Sequence, residues 1–445
     1  MGFYLNTMNT SIKNLYRIFL DHPLICTDTR NIQNDTIFFS LKGETFNGNE
    51  FAETAINNGA AFAVVDEEKY VKDDRFLLVD NTLKTLQRLG SYHRSTFDIP
   101  VIGITGTNGK TTTKELIRNI LSQKYKAQAT IGNLNNHIGV PLTLLSVKHD
   151  TDIIVIEMGA NHIGEIESLC KIANPNFGII TNIGKAHLEG FGSKEGIVKA
   201  KSELYSHIKN IGGAVFVNIN NSLLYELSQN LNTVFYGDNP KAYTYGEFIE
   251  ADPFVKLSWT NKDYTPDTEI QNFIINSKLI GAYNFENILA AICVGTYFDV
   301  EPEKIIRAIE QYTPVNNRSQ IIEKTEKLII LDAYNANPSN MEAAILNLKK
   351  MPGEKKIAII GDMLELGKYE VQEHRKILKL LKKQNFHQLI FVGQTFCKVC
   401  SSDDGLCFED TDAAFSWLQN KPLPASVILL KASRGIKLEK LVDIL

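Results

Sequence analysis

Lys110 and Thr111 close a glycine-punctuated loop in the run GITGTNGKTTTKELI, Gly103 to Ile117. A short apolar run enters the loop and a helix-like stretch leaves it. Glycines let backbone N–H groups close on phosphate oxygens, and the N-terminus of the following helix adds partial positive charge. In such a loop the lysine reaches the β- and γ-phosphates and the threonine hydroxyl ligates Mg2+. Lys110 is expected in an exposed loop. The usual G-x-x-x-x-G-K-[ST] pattern fails by one position: its first glycine would fall on Ile104, and the glycines stand at 103, 106 and 109. The pattern G-x-G-x-x-G is also missing, so a dinucleotide is not expected. Kinases, ATPases, motors and ligases all hold nucleotide in this way, so the loop leaves the reaction open.

Other residues could take part. Glu157 ends the apolar run IIVIE, and a carboxylate at the C-terminal edge of a parallel strand is well placed for Mg2+. The lesser alternative is a carboxylate that caps a helix or faces solvent. His187 follows another strand in TNIGKAHLEGFGS; a lone histidine is more often structural. Lys199 and Lys201 lie in the helical stretch IVKAKSELY, and solvated lysines are the ordinary reading. Two residues apart on a helix means about 200° apart, so both cannot face one site. Asn284 and Asn287 share a helical face in GAYNFENILAA, where they could bond a purine or cap a helix. Arg318 is a candidate phosphate clamp. Asp332, Tyr334, Asn335 and Asn337 cluster where the strand KLIILD ends. Cys397, Cys400 and Cys407 include a C-x-x-C, but no second pair or histidine-rich partner lies near. With a strand and a loop expected around them, incidental thiols are the better reading.

These residues need parallel sheets to present them. At 445 residues the chain is long enough for two to four domains. A net charge of −4 gives no basic footprint for nucleic acid. No apolar run reaches the ~20 residues of a membrane span. The N-terminus lacks the pattern of an export signal, which predicts a cytoplasmic protein with reduced thiols. Residues 1–98 mix short strands (TIFFSL, AFAVVD, FLLVD) with helical stretches. From 99 to 314 the pattern is strand–loop–helix, with strands PVIGIT, DIIVIEM, FGIITNI and AVFVNIN. Their near-continuous apolar character suits parallel strands covered on both faces. Residues 240–275 are polar and read as an edge hairpin or insertion. From 315 to 445 a second alternation, KLIILD, KKIAII, HQLIFVG and SVILLK with helices between, predicts another open α/β sheet.

Taken in order, GITGTNGKTTTKE, GNLNNHIGVPLTLL, IEMGANHIGEI, GKAHLEGFGS, KAKSELY, GAYNFENILAA, NRSQ, LDAYNANP, GDMLELG and LKASRG resemble the ATP-dependent Mur ligases of peptidoglycan synthesis over essentially the whole chain. LDAYNANP points within the family to the addition of D-alanyl-D-alanine to UDP-N-acetylmuramoyl-tripeptide. The resemblance implies three α/β domains: an N-terminal one for the UDP-sugar, a central P-loop-type ATPase domain with a parallel sheet, and a C-terminal Rossmann-like one. CTDTRNIQNDTIFFSLKGETFNGNEF resembles the UDP-sugar-binding segment, but Asn47-Gly48-Asn49 stands where Asp-Gly-His is usual.

The resemblance also implies roles. Gly106, Thr107, Asn108, Gly109, Lys110, Thr111 and Thr112 hold the triphosphate. Thr111, Glu157 and His187 hold Mg2+. Lys201, carried as a carbamate, holds a second Mg2+. Asn284, Asn287, Arg318 and Asp332 contact ATP, with Asp332 on the ribose. Tyr334, Asn335 and Asn337 place the dipeptide, Asn135 and Asn136 face the peptidyl substrate, and Thr29 and Arg30 touch the UDP-sugar. A monomer without nucleic-acid partners is expected. The alternatives are another amide ligase, of folylpolyglutamate or cyanophycin type, and a non-enzymatic nucleotide switch. The N-terminal domain argues against the first, and the joint presence of Glu157, His187 and Lys201 against the second.

Overall fold

The computed structural model describes residues 10–185, 188–261, 272–315 and 317–445. Among them the strands form three sheets of four, nine and six members. The first is parallel throughout and includes Thr36–Phe39, Ala60–Val65 and Phe76–Leu78, the three runs expected from sequence. The helix Thr82–Arg94 lies on it, with Leu86 and Leu89 packed among Leu15, Phe39 and Val64.

In the nine-stranded sheet Val101–Thr105 pairs with Ile153–Glu157 on one side and Phe177–Ile180 on the other. Every residue of Val101–Thr105 and Ile153–Glu157 is buried, which is why these strands read as unbroken apolar runs. Val101–Thr105, the first of these strands in sequence, lies inside the sheet, and the later strands add on both sides of it. The crevice at the C-terminal end of Val101–Thr105 is therefore a topological switch point, where open α/β sheets bind ligands. The polar segment expected as an edge hairpin is an antiparallel extension of the same sheet: Thr244–Ala251, Phe254–Asn261 and Asn272–Ile280. Asn272–Ile280 alternates exposed and buried residues, as befits a strand with one wet face.

The six-stranded sheet has Lys327–Asp332, Ser426–Lys431, Lys356–Gly361 and Gln388–Val392 as a parallel core. Its outer strand Gln320–Lys324 runs antiparallel. The C-x-x-C departs from expectation: Cys397 lies in the helix Gln394–Val399, Cys400 follows as its C-cap, and Cys407 is on the strand Leu406–Phe408. All six cysteines are free thiols. Burial pushes the Cys397 thiol up to about 11, so it is almost wholly protonated at neutral pH and a poor nucleophile. No helix among the described residues is long and apolar enough to cross a membrane.

Asn47-Gly48-Asn49 forms a closed local network. Asn49 is fully buried; its amide donates to Asp66 and Asn47, and its carbonyl oxygen accepts from the Asp66 N–H. The asparagine standing in the usual histidine position is thus consumed inside the fold.

Candidate active site

A cleft of about 1120 Å³ is lined from all three sheet units, by Gln87, by the loop after Val101–Thr105, and by the turns after Lys327–Asp332 and Ser426–Lys431. The phosphate loop has the backbone its glycines permit. Gly106 and Gly109 have φ of 147° and 80°, and a Cβ on Gly109 would meet Asn287 Oδ1 at 2.4 Å. The helix Lys110–Leu121 then starts without any side-chain cap, leaving its first N–H groups for a ligand. The loop is braced from a neighbouring strand end that the sequence reading did not single out. Thr181 Oγ1 donates to the Asn108 carbonyl at 2.6 Å, and Asn182 Oδ1 accepts from the Asn108 N–H at 3.0 Å.

Lys110 is half-buried rather than on an exposed loop. Its ammonium folds back onto the carbonyls of Gly106 and Thr107, at 2.8 and 3.1 Å. Loss of solvent lowers its pKa from the ordinary lysine value, opposed by Glu157 and assisted by Arg318. Glu157 is 1% exposed; one oxygen accepts from the Thr111 hydroxyl at 2.8 Å and the other from Asn135 Nδ2 at 2.8 Å. A fully buried lysine one turn further, Lys114, sits 3.8 Å from Glu157 and donates to the carbonyls of Thr130 and Gly132. It too was not anticipated, although buried lysine one turn from Lys110 is readable once the helix is drawn.

Hydroxyl and carboxylate oxygens on a phosphate-binding loop suit Mg2+, which takes few protein ligands and completes its shell with phosphate and water. Among the described residues no group of three or more His, Cys, Asp or Glu side chains could hold a metal alone. The fit is therefore to a metal shared with phosphate. His187 lies outside the described residues. Lys201 lines the same cleft and is 3% exposed, whereas Lys199 is exposed, so the helix separates the two as its pitch requires. Burial lowers the Lys201 ammonium to about 7, helped by the charge of Lys110. That leaves neutral amine at physiological pH, the form that adds to carbon dioxide.

The other expected residues divide. Asn284 and Asn287 line the cleft, but their amides serve the fold: Asn284 donates to Ile280 O, and Asn287 joins Asn284 to Thr113. Asp332 is held by Lys431 Nζ at 2.9 Å and the Ser319 N–H at 3.3 Å. Arg318 stacks 3.6 Å over the Tyr334 ring. Asn135 and Asn136, expected to face peptide, line the cleft; Asn135 also donates to Glu157, and Asn136 Oδ1 accepts from the N–H groups of Ile138 and Gly139 just before the helix Gly139–Leu145. Asn337 was expected to place a dipeptide. It caps the helix Pro338–Lys350 in a reciprocal box with Asn340, and its Nδ2 donates to Asn108 Oδ1 at 2.9 Å. Asn340 Nδ2 reaches the same oxygen at 3.3 Å, so the phosphate loop is tied directly to the third sheet. The Asn335 side chain lines the cleft while its carbonyl accepts from Lys431. Thr29 and Arg30 form a 3₁₀ turn outside the cleft, with Arg30 paired to Asp28.

A phosphate loop facing cationic and amide groups across a cleft suits a nucleotide-dependent transferase or ligase. Models of three Mur ligase domains match the chain: the family's catalytic domain over residues 24–93, its middle domain over 104–295 and its glutamate ligase domain over 317–434. The UDP-N-acetylmuramoyl-tripeptide–D-alanyl-D-alanine ligase of Bacillus subtilis (strain 168) is 35% identical over 431 residues, 94% of this chain and 92% of that protein. The crystal structure of MurF from Acinetobacter baumannii is similar with a TM-score of 0.83, at 30% identity over 94% of this chain and 92% of that one. The MurF ligase of Thermotoga maritima in complex with ADP gives a TM-score of 0.81, at 28% identity over 95% and 96%. The chain belongs to the Mur ligase family.

Proposed function

We propose that this protein is an ATP-dependent amide ligase that joins D-alanyl-D-alanine to UDP-N-acetylmuramoyl-tripeptide, releasing the UDP-linked pentapeptide, ADP and phosphate, in peptidoglycan precursor synthesis. The observation that carries the substrates is the near-full-length likeness to the Bacillus subtilis ligase of that name. A carboxylate is a poor electrophile, so the tripeptide's terminal carboxylate first attacks the γ-phosphorus and ADP leaves. The amine of the dipeptide then attacks the acyl phosphate carbon, loses its proton, and phosphate departs. Positioning and charge neutralisation supply most of such catalysis.

In this reading the amides of Gly106 to Thr112 hold the triphosphate, and Lys110 leaves its own carbonyls for the β- and γ-phosphates. The Thr111 hydroxyl and Glu157, with His187, hold Mg2+, which when bound neutralises phosphate charge. Asn135 keeps Glu157 turned toward that position. Lys201, as a carbamate, supplies two further oxygens in place of a repelling ammonium. Its buried, readily neutralised amine supports this. Asn284, Asn287 and Arg318 bound the nucleotide, and Asp332 accepts from ribose. Tyr334, Asn335 and Asn337 border the dipeptide position, and Asn135 and Asn136 the peptidyl one. Thr29 and Arg30 belong to a UDP-sugar-binding unit of residues 1–98, followed by a central ATP-binding unit of 99–314 and a C-terminal ligase unit of 315–445. The protein works as a cytoplasmic monomer without nucleic acid.

The test is phosphate release measured with each substrate omitted in turn. Release should need ATP, UDP-tripeptide and dipeptide together. Equal release without the dipeptide, or with glutamate in its place, would sink the proposal.

A further inference from the structure

Five lysines and arginines line the cleft: Lys110, Lys201, Arg318, Lys431 and Arg434. Four have occupations. Lys110 belongs to the phosphate loop, and Lys201 is buried as the carbamate candidate. Lys431 is 1% exposed and spent on Asp332 at 2.9 Å and the Asn335 carbonyl at 2.7 Å. Arg318 stacks 3.6 Å over the Tyr334 ring, its charge bears on Lys110, and the reading above gives it to the nucleotide. Arg434 remains. It is exposed, and among the described residues no hydrogen bond or ion pair engages its side chain; its recorded contact is with the Tyr334 ring, whose centroid lies 5.5 Å from the guanidinium carbon.

Its backbone is well fixed. Arg434 opens the 3₁₀ turn Arg434–Ile436 directly after Ser433, which is buried and whose hydroxyl accepts from the Leu364 N–H at 2.9 Å. A side chain on the next residue, Gly435, would press on Leu364 at 3.0 Å. An uncommitted guanidinium is thus offered into the cleft from a braced turn, beside an aromatic face that favours its stacking.

We propose that Arg434 binds the free C-terminal carboxylate of the incoming dipeptide. This rests on the ligase reading above and adds to it the group that selects the nucleophile. The dipeptide is a zwitterion whose amine must approach an acyl phosphate. Its own carboxylate would be repelled by the phosphoryl oxygens unless a separate cation holds it away. A guanidinium fork pairs with a carboxylate through two parallel hydrogen bonds, which fixes direction as well as charge. A fully extended dipeptide spans at most about 7 Å, so the cation must stand apart from the phosphate loop yet within the same cleft. Arg434 lines that cleft from a different element, the turn after the third sheet's strand Ser426–Lys431. Peptides that are amidated or extended at the C-terminus should therefore be poor nucleophiles.

The experiment compares D-alanyl-D-alanine with its C-terminal amide as nucleophile for the wild type, Arg434→Ala and Arg434→Lys, with thermal unfolding as a check on folding. Arg434→Ala should raise KM for the dipeptide roughly tenfold or more, the loss of one charge-assisted contact, while KM for ATP stays within about twofold. The wild type should prefer acid over amide by a similar factor, and Arg434→Ala should show no preference. Arg434→Lys should fall between, because a point charge replaces the fork. An unchanged dipeptide KM in Arg434→Ala, an equal loss for acid and amide, or a loss that falls on ATP overturns the assignment while leaving the ligase reading in place. A wild type that uses neither nucleophile overturns both.

Discussion

At the scale of single residues, Lys110 and Lys201 carry the sharpest expectations. Lys110→Ala should abolish ligation, since it removes the charge that steadies the β- and γ-phosphates. It should cost stability only about 1 kcal/mol, because what it loses in the fold is hydrogen bonding to its own loop carbonyls. Phosphate release and a melting curve check the two halves; near wild-type release would defeat the phosphate-loop assignment. Lys201→Ala should be inactive and partly rescued by added formate or acetate, while Lys199→Ala keeps most activity. The reverse pattern would mean that the second metal position is misplaced. Helical pitch made it legible that only one of these lysines can face the site; the choice of Lys201 came from the resemblance, and the structure buries Lys201 while exposing Lys199. The role of Asn135 was not legible. Its amide meets Glu157 across 22 residues of chain, and no local spacing announces such a pairing. Lys114 and Arg434 escaped for a related reason: a buried lysine and an uncommitted arginine look like any other until the elements around them are placed.

At the scale of elements, Asn337 both starts the helix Pro338–Lys350 and, together with Asn340, holds the phosphate loop. Asn337 accepts from the Asn340 N–H as N-cap and donates to Asn108 from the same amide. Substitution can separate these tasks. Asn337→Asp keeps a good N-cap but loses the donor and sets a carboxylate against the Asn108 oxygen. Its melting temperature should stay near wild type while kcat drops; Asn337→Ala should lose about 1 kcal/mol of stability as well. If Asn337→Asp turned over normally, the link to Asn108 would have no part in the reaction. The strands themselves were largely readable, because parallel strands covered on both faces leave unbroken apolar runs. The helix around Cys397 was not, because six residues carry too little periodicity to separate a short helix from a loop.

At the scale of the whole molecule, the cleft is lined by the phosphate loop and by turns of the third sheet, so the two are expected to draw together around ligands. Scattering should show a smaller radius of gyration with an ATP analogue and UDP-tripeptide bound than without them; identical curves at saturation would count against closure. The contact between the first unit and the middle one should be sensitive to acid. His93 bridges the Tyr16 hydroxyl and the Val147 carbonyl, and burial holds its pKa below the ordinary 6.5. The unfolded chain therefore binds more protons, so this residue's contribution is present above about 6.5 and is lost as pH falls toward the depressed folded value. Melting temperatures measured from pH 8 down to 5 should decline, and His93→Gln should flatten part of that decline; an unaltered slope would remove His93 from the account. The amide bridge from Asn108 to Asn337 and Asn340 bears on inhibition as well. A small molecule wedged between those three side chains would leave the nucleotide pocket and the dipeptide position each intact, yet keep them from meeting. Such a compound would be expected to show mixed kinetics against both substrates, and crowding either pocket with its own ligand would not wash it out.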